Sequence, residues 1–160
     1  MAPAFTIQPA TTKDMPEVAS LFRDYAAALG VDLAYQGFQA ELASLPGAYA
    51  PPAGALLLAR ASDHTSLGCV AVRKLAEHGA CEMKRLYAAP EARGMGLGRA
   101  LALAAITAAK QAGYRTMRLD TLPTMQAAQA LYRALGFETT PPYYDTPIAG
   151  TLFMRITLAR

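Results

Sequence analysis

The segment Arg93-Gly94-Met95-Gly96-Leu97-Gly98-Arg99 constrains this chain more than any other stretch. A strand-like run, Ala80 to Ala88, precedes it, and an Ala-rich run of helical character follows to about Ala112, closed by Gly113. Glycines at a strand-to-helix junction let the backbone approach a ligand closely and aim successive N–H groups at it. The first turn of the helix adds donors that have no partner within the helix, and the positive end of its dipole. A phosphate or pyrophosphate suits such a turn, and Arg93 and Arg99 flank it with charge. Two common phosphate-binding patterns fail here. A nucleoside-triphosphate loop ends in Gly-Lys-Ser/Thr, whereas this one reads Gly98-Arg99-Ala100. A dinucleotide fingerprint needs a third glycine where Arg99 stands. The pattern that fits is Arg-x-x-Gly-x-Gly, filled by Arg93, Gly96 and Gly98.

The elements around this turn can be read in order. Phe5-Thr6-Ile7 is a short first strand. Asp14 and Glu17 form a capping box for a helix in which Val18, Leu21, Phe22, Tyr25 and Leu29 recur at helical spacing, up to Gly30. Phe38 to Leu45 is a second short helix, stopped by Pro46-Gly47, and Tyr49 to Gly54, with Pro51-Pro52, is loop. Strands over 55–60, 67–75 and 80–88 have short connections and so form an antiparallel meander. After the glycine turn and its helix come a strand, Thr116 to Leu122, a helix, Thr124 to Leu135, closed by Gly136, and a last strand, Thr151 to Leu158. The strand–helix–strand passage from residue 80 to 122 predicts a right-handed crossover between parallel strands. The sheet is therefore mixed and mostly antiparallel.

Composition removes several classes. At 160 residues the chain fits one domain with a real core. With 53% hydrophobic and 17% charged residues it is neither disordered nor membrane-spanning, and the apolar runs 53–59 and 100–109 are too short to cross a bilayer. The first residues show no basic segment followed by an apolar one, as a secretory leader would. The expected compartment is the cytoplasm. A net charge of +3 is too mild for a nucleic-acid partner, although Lys84, Arg85, Arg93 and Arg99 crowd one stretch. Cys69 and Cys81, both in strands, make neither a disulfide framework nor a metal motif. His64 and His78 fall in turns, so neither a metal site nor a histidine base is expected.

The run Glu82-Met83-Lys84-Arg85-Leu86-Tyr87-Ala88-Ala89-Pro90-Glu91-Ala92-Arg93-Gly94 resembles the strand and pyrophosphate motif of the GNAT superfamily of acyl-CoA-dependent N-acyltransferases. Downstream, Ala128-Gln129-Ala130-Leu131-Tyr132, with Gly136-Phe137 four residues beyond the Tyr, is similar to that family's second signature. The order of elements matches over residues 5 to 158. The resemblance implies an α/β fold, a three-layer α/β/α sandwich around a twisted mixed sheet, filling 1–160 as a single N-acetyltransferase domain. It implies acetyl-CoA as co-substrate, no metal, and an amine acceptor. Cofactor contacts are expected from Leu86, Tyr87 and Ala88 on the strand, from Arg93, Gly94, Met95, Gly96, Leu97, Gly98 and Arg99 in the turn, and from Met125 and Ala128. Met125 stands where many members carry an Asn that helps hold the cofactor. A homodimer is compatible with the fold. The stretches 33–38 and 45–52 resemble a subgroup of bacterial members, which names no acceptor.

Attack of an amine on a thioester asks for three things. An alkyl ammonium, with a pKa of about 10.4, must lose a proton. The tetrahedral oxyanion needs N–H donors. The departing thiolate benefits from a positioned acid. No Cys or Ser lies in an activated motif, so direct attack without a covalent enzyme intermediate is expected. The resemblance places the thioester where strand 80–88 parts from strand 116–122 and makes Tyr132 the acid. Glu82 aligns with a catalytic base used in one branch of the family, with an ion pair as the alternative. Simple alternation puts Glu82, Lys84, Leu86 and Ala88 on one face and Cys81, Met83, Arg85 and Tyr87 on the other. Tyr25, Tyr143 and Tyr144 are expected to border the acceptor. The rival readings are a bulkier acyl-CoA donor and a CoA-binding sensor or partner protein without catalysis.

Overall fold

The computed structural model describes residues 4–159. Its elements are β1 (Phe5–Pro9), α1 (Met15–Leu29), α2 (Phe38–Ser44), β2 (Ala55–Ala61), β3 (Ser66–Lys74), β4 (Ala80–Ala88), α3 (Leu97–Gln111), β5 (Thr116–Thr121), α4 (Gln126–Ala134), β6 (Glu138–Thr139) and β7 (Leu152–Thr157), with short 3-10 turns between them. The strands form one sheet in the order β1-β2-β3-β4-β5-β7-β6. Only β4 and β5 run parallel, joined by the α3 crossover; every other pair is antiparallel.

Two apolar layers sandwich this sheet. On one face α1 and α2 bury Val18, Leu21, Phe22 and Phe38 against Leu56, Leu58, Cys69 and Ala71. On the other, α3 and α4 cover Leu57, Val70, Val72, Cys81, Met83, Met117 and Leu119. The buried stripe of α3, Leu97, Leu101, Ala102, Ala105, Ile106 and Ala109, keeps helical period, and its alanines bring the helix close to the sheet. Each fully buried large side chain contributes about 1.5–3 kcal/mol, so these two layers dominate the stability of the fold.

Two details depart from the sequence reading. The Asp14 side chain does not cap α1. It reaches back to the Thr11 N–H at 2.7 Å and pairs with Arg60 at 2.6 Å, while Glu17 bonds Arg60 at 2.6 Å and Ser66. Arg60 on β2 draws both carboxylates away from the helix start. The alternation of β4 also breaks. Cys69 lies opposite Tyr87 and Ala71 opposite Lys84, so Arg85 and Leu86 together face the single residue Val70. Arg85 takes up the extra residue in the left-handed region, with φ 60°. This β-bulge turns Arg85 to the same side as Glu82 and Lys84, toward α2, and sends Leu86 to the α3/α4 side.

Candidate active site

The glycine turn is built as a cradle. A 3-10 turn over Pro90–Ala92 delivers the chain to Gly94 and Gly96, both in the left-handed region at φ 80° and 71°. A side chain at either would be strained. Gly96 caps α3, and its carbonyl accepts the first helical bond, from Ala100 at 3.1 Å. The Met95 N–H is spent inside the turn, on Ala92 O at 3.2 Å. Among the described residues the N–H groups of Gly94, Gly96, Gly98 and Arg99 have no backbone partner outside the helix ladder. They are left for an anion at the positive end of a helix of 15 residues. Arg93 and Arg99 are exposed beside them.

From this cradle a groove runs between β4 and α4, lined by Arg93, Gly98, Ala88, Tyr87, Leu86, Met125, Ala128 and Leu131. It continues into a narrower cleft that shares Tyr25, Leu29, Leu86 and Met125 with it and adds Tyr132, Asp120, Thr121 and Lys84. The cleft exists because β4 and β5 part. Their pairing covers only Ala80–Thr116, Cys81–Met117 and Glu82–Arg118. The bulge at Arg85 lies just past the last pair and adds twist there.

Tyr132 is buried and reaches this cleft from α4, its ring edge-on to Phe137 at 5.7 Å. The Phe137 N–H donates to the Tyr132 carbonyl at 3.0 Å as the chain turns at Gly136, so the Gly-Phe pair serves to fix the Tyr. The Tyr132 hydroxyl has no hydrogen-bond partner among the described residues. Burial, with smaller effects from Tyr25 and Asp120, pushes its pKa well above the ordinary phenol value. Thr121 lines the same cleft, and its hydroxyl is buried with no hydrogen-bond partner among the described residues. Two unpartnered hydroxyls at the end of a groove that begins in an anion cradle fit a long, phosphate-headed ligand such as CoA.

On the other side of the cleft lies a polar network. Glu82 is fully buried: Arg73 Nε donates to one of its oxygens at 2.7 Å and the Tyr143 hydroxyl to the other at 2.5 Å. Arg85 is clamped by Glu41 through two bonds of 2.9 and 2.8 Å and lies over the rings of Phe38 and Tyr25. Gln36 accepts from Arg85 at 2.7 Å and from Lys84 at 3.3 Å. The Tyr144 hydroxyl donates to Asp120. A second chamber, next to the cleft, is lined by Tyr35, Gln36, Tyr49, Arg73, Lys84 and Tyr144.

The structure thus brings together most of the residues that the sequence singled out. Leu86, Tyr87, Ala88, Arg93, Gly98, Met125 and Ala128 share one groove, and Tyr132 stands at its end. Met95 and Leu97 stand apart: the Met95 side chain is exposed, and Leu97 is a core residue of α3. Tyr25 lines both groove and cleft, and Tyr144 lines the second chamber. Tyr143 does neither; it packs on Phe153 and donates to Glu82. Of the two roles left open for Glu82, this surrounding is that of the ion pair. The carboxylate that does line the cleft is Asp120, which sequence reasoning passed over. Its signal was there: Arg118 and Asp120 alternate with buried Met117, Leu119 and Thr121, marking one face of β5 as polar at the place where the strands part. No helix among the described residues is long and apolar enough to cross a membrane.

Comparisons with known proteins agree with this geometry. Residues 18–137 match the Acetyltransferase (GNAT) family. An uncharacterized N-acetyltransferase of Schizosaccharomyces pombe is 42% identical over 148 residues, 92% of this chain and 91% of that one. An acyl-CoA N-acyltransferase of Klebsiella pneumoniae superposes with a TM-score of 0.71 at 30% identity, covering 97% of this chain and 98% of that one. An acetyltransferase of Salmonella typhimurium, solved with its cofactor acetyl-CoA, has the same fold, with a TM-score of 0.67 at 22% identity over 98% and 95% of the two chains.

Proposed function

The chain belongs to the GNAT acetyltransferase family, and from that premise we propose that it moves the acetyl group of acetyl-CoA to an amine by direct attack. One observation carries the reading: a continuous groove links the glycine cradle to the Tyr132 hydroxyl, and a carboxylate, Asp120, faces the same cleft. The pyrophosphate of CoA would lie on the free N–H groups of Gly94, Gly96, Gly98 and Arg99, with Arg93 and Arg99 beside it. Leu86, Tyr87 and Ala88 would flank the pantetheine arm, and the parted strands would receive the thioester.

The acceptor ammonium gives one proton to Asp120, the carboxylate that reaches the cleft. The neutral nitrogen attacks the carbonyl carbon, the N–C bond forms, and the oxyanion takes backbone donors from the parted edge of β4. Collapse breaks the C–S bond, the sulfur leaves with the electron pair, and the second nitrogen proton passes to that thiolate, directly or through water, so that the amide forms and CoA leaves as the thiol, while Asp120 returns its proton to solvent. Tyr132 is kept protonated by its burial, so its hydroxyl is always available to the sulfur. The same shift makes complete transfer to a thiolate, whose conjugate acid has a pKa of about 8.5, costly. Its contribution is therefore foremost a hydrogen bond to the developing negative charge.

The test uses two measurements on the wild-type protein. Calorimetry should show CoA and acetyl-CoA binding, and a thiol-release assay over an amine panel should show turnover of acetyl-CoA faster than of bulkier acyl-CoA thioesters. Binding without thiol release over any amine would overturn the transferase reading and leave a CoA-binding protein.

A further inference from the structure

Within the cleft, two charges of opposite sign lack a full partner. The Lys84 side chain is only 8% exposed, yet its ammonium carries three donors and has, among the described residues, a single hydrogen-bond acceptor, Gln36 at 3.3 Å. Glu82, at 3.8 Å, is already bonded to Arg73 and Tyr143. The neighbouring Arg85 adds a like charge, and burial drives the Lys84 pKa down. A buried cation so poorly matched is costly unless an anion joins it. Lys84 lines both the cleft and the second chamber beside it. Arg73 also faces that chamber; its Nε is held by Glu82, while its terminal nitrogens have no partner among the described residues and its side chain is 41% exposed. Asp120, the opposite charge, has only one oxygen bonded, by Tyr144, and does not pair with Lys84.

We propose that the acceptor is a free amino carboxylic acid, its ammonium on Asp120 beside Tyr132 and its carboxylate on Lys84 and the outer edge of Arg73. The proposal rests on the transferase reading and gives it a substrate class. A monoanion matches the site better than a phosphate. Lys84 offers one incompletely paired positive charge, whereas the second charge of a phosphate would stand beside Glu82 and Glu41, which line or back the same chamber. Like charges juxtaposed in a desolvated site are strongly unfavourable.

The experiment compares amino acids with their own neutral amides in the thiol-release assay. The α-amino acids, β-alanine and γ-aminobutyrate are each paired with the amide of the same skeleton, and phosphoethanolamine is added as the phosphate arm. The best acid should exceed its amide by about 10²-fold or more in kcat/KM, in line with the loss on leaving a buried charge unpaired. Lys84→Met should collapse that ratio to within about threefold, chiefly through KM for the acid, and Arg73→Gln should lower it less. Amides turned over as well as acids would overturn the proposal while leaving the transferase reading intact. So would phosphoethanolamine outrunning every carboxylate. Absence of turnover with any amine, CoA binding notwithstanding, would overturn both. The acid-to-amide comparison on wild-type protein decides the matter even if Lys84→Met fails to fold.

Discussion

Tyr132 and Asp120 stand in one cleft, the proposal gives them opposite tasks, and single-atom substitutions separate these. Tyr132→Phe keeps the ring against Phe137 and removes only a hydroxyl that has no partner among the described residues. We expect kcat to fall by about 10²-fold, with little change in KM for acetyl-CoA or in Tm; full activity would make Tyr132 a packing residue. Asp120→Asn should lower kcat/KM by about 10²–10⁴-fold and flatten the acidic limb of the pH–rate profile, because the group that must be ionised is gone. Glu82→Gln should behave differently. Glu82 is committed to Arg73 and Tyr143, so its loss should cost about 1–3 kcal/mol of stability and leave the acidic limb in place. A limb lost in Glu82→Gln and kept in Asp120→Asn would reverse the assignment.

At the scale of elements, the strand-to-helix turn and the β-bulge do separate work. The turn fixes the cradle, where a side chain at Gly96 meets no neighbour but faces a positive φ and would intrude on the proposed pyrophosphate site. Gly96→Val should therefore weaken CoA binding by tenfold or more while the fold survives; equal affinity by calorimetry would move the pyrophosphate elsewhere. The bulge sets which side chains of β4 face the cleft. Opposite its outer end, a Cβ at Gly68 would stand 2.4 Å from the Tyr87 carbonyl, so β4 approaches β3 there closer than any side chain allows. Gly68→Ala should lower stability by about 1–3 kcal/mol, read as a shift in urea midpoint. It should also reduce activity at saturating acetyl-CoA, since the Arg85 bulge must move.

At the scale of the whole molecule, the buried cation Lys84 would serve the proposed acceptor site at the expense of stability. Lys84 is faced by Glu82, Arg73, Arg85 and Asp120, and burial outweighs its attraction to the two carboxylates, leaving its pKa below the usual lysine value. The sign follows by linkage. Below the depressed folded value the ammonium is buried at a cost, and that cost is relieved as pH rises toward the unfolded value of 10.5. Wild-type stability therefore gains from Lys84 on the alkaline side. Lys84→Met should raise Tm near pH 7 by about 2–8 °C, corresponding to about 1–2 kcal/mol, and remove that alkaline gain. A destabilised Lys84→Met protein would mean that the ammonium is already well paired in the apo state.

Much of this architecture follows from local sequence. The glycine turn, the helix periods, the parallel crossover and the Tyr132–Phe137 signature depend on spacing between near neighbours and on backbone freedom, both written directly in the chain. What the tertiary structure decided lies in contacts between residues far apart in sequence. Arg60 took Asp14 and Glu17 from the helix start across more than forty positions, and Glu41 and Gln36 on the far layer captured Arg85 once a bulge had turned it. Alternation along β4 could not foresee that extra residue, because a bulge is selected by its partners and not by the strand's own pattern. For the same reason Glu82 stood out as a candidate base, while Asp120, plain in sequence, acquired its position only when β4 and β5 parted.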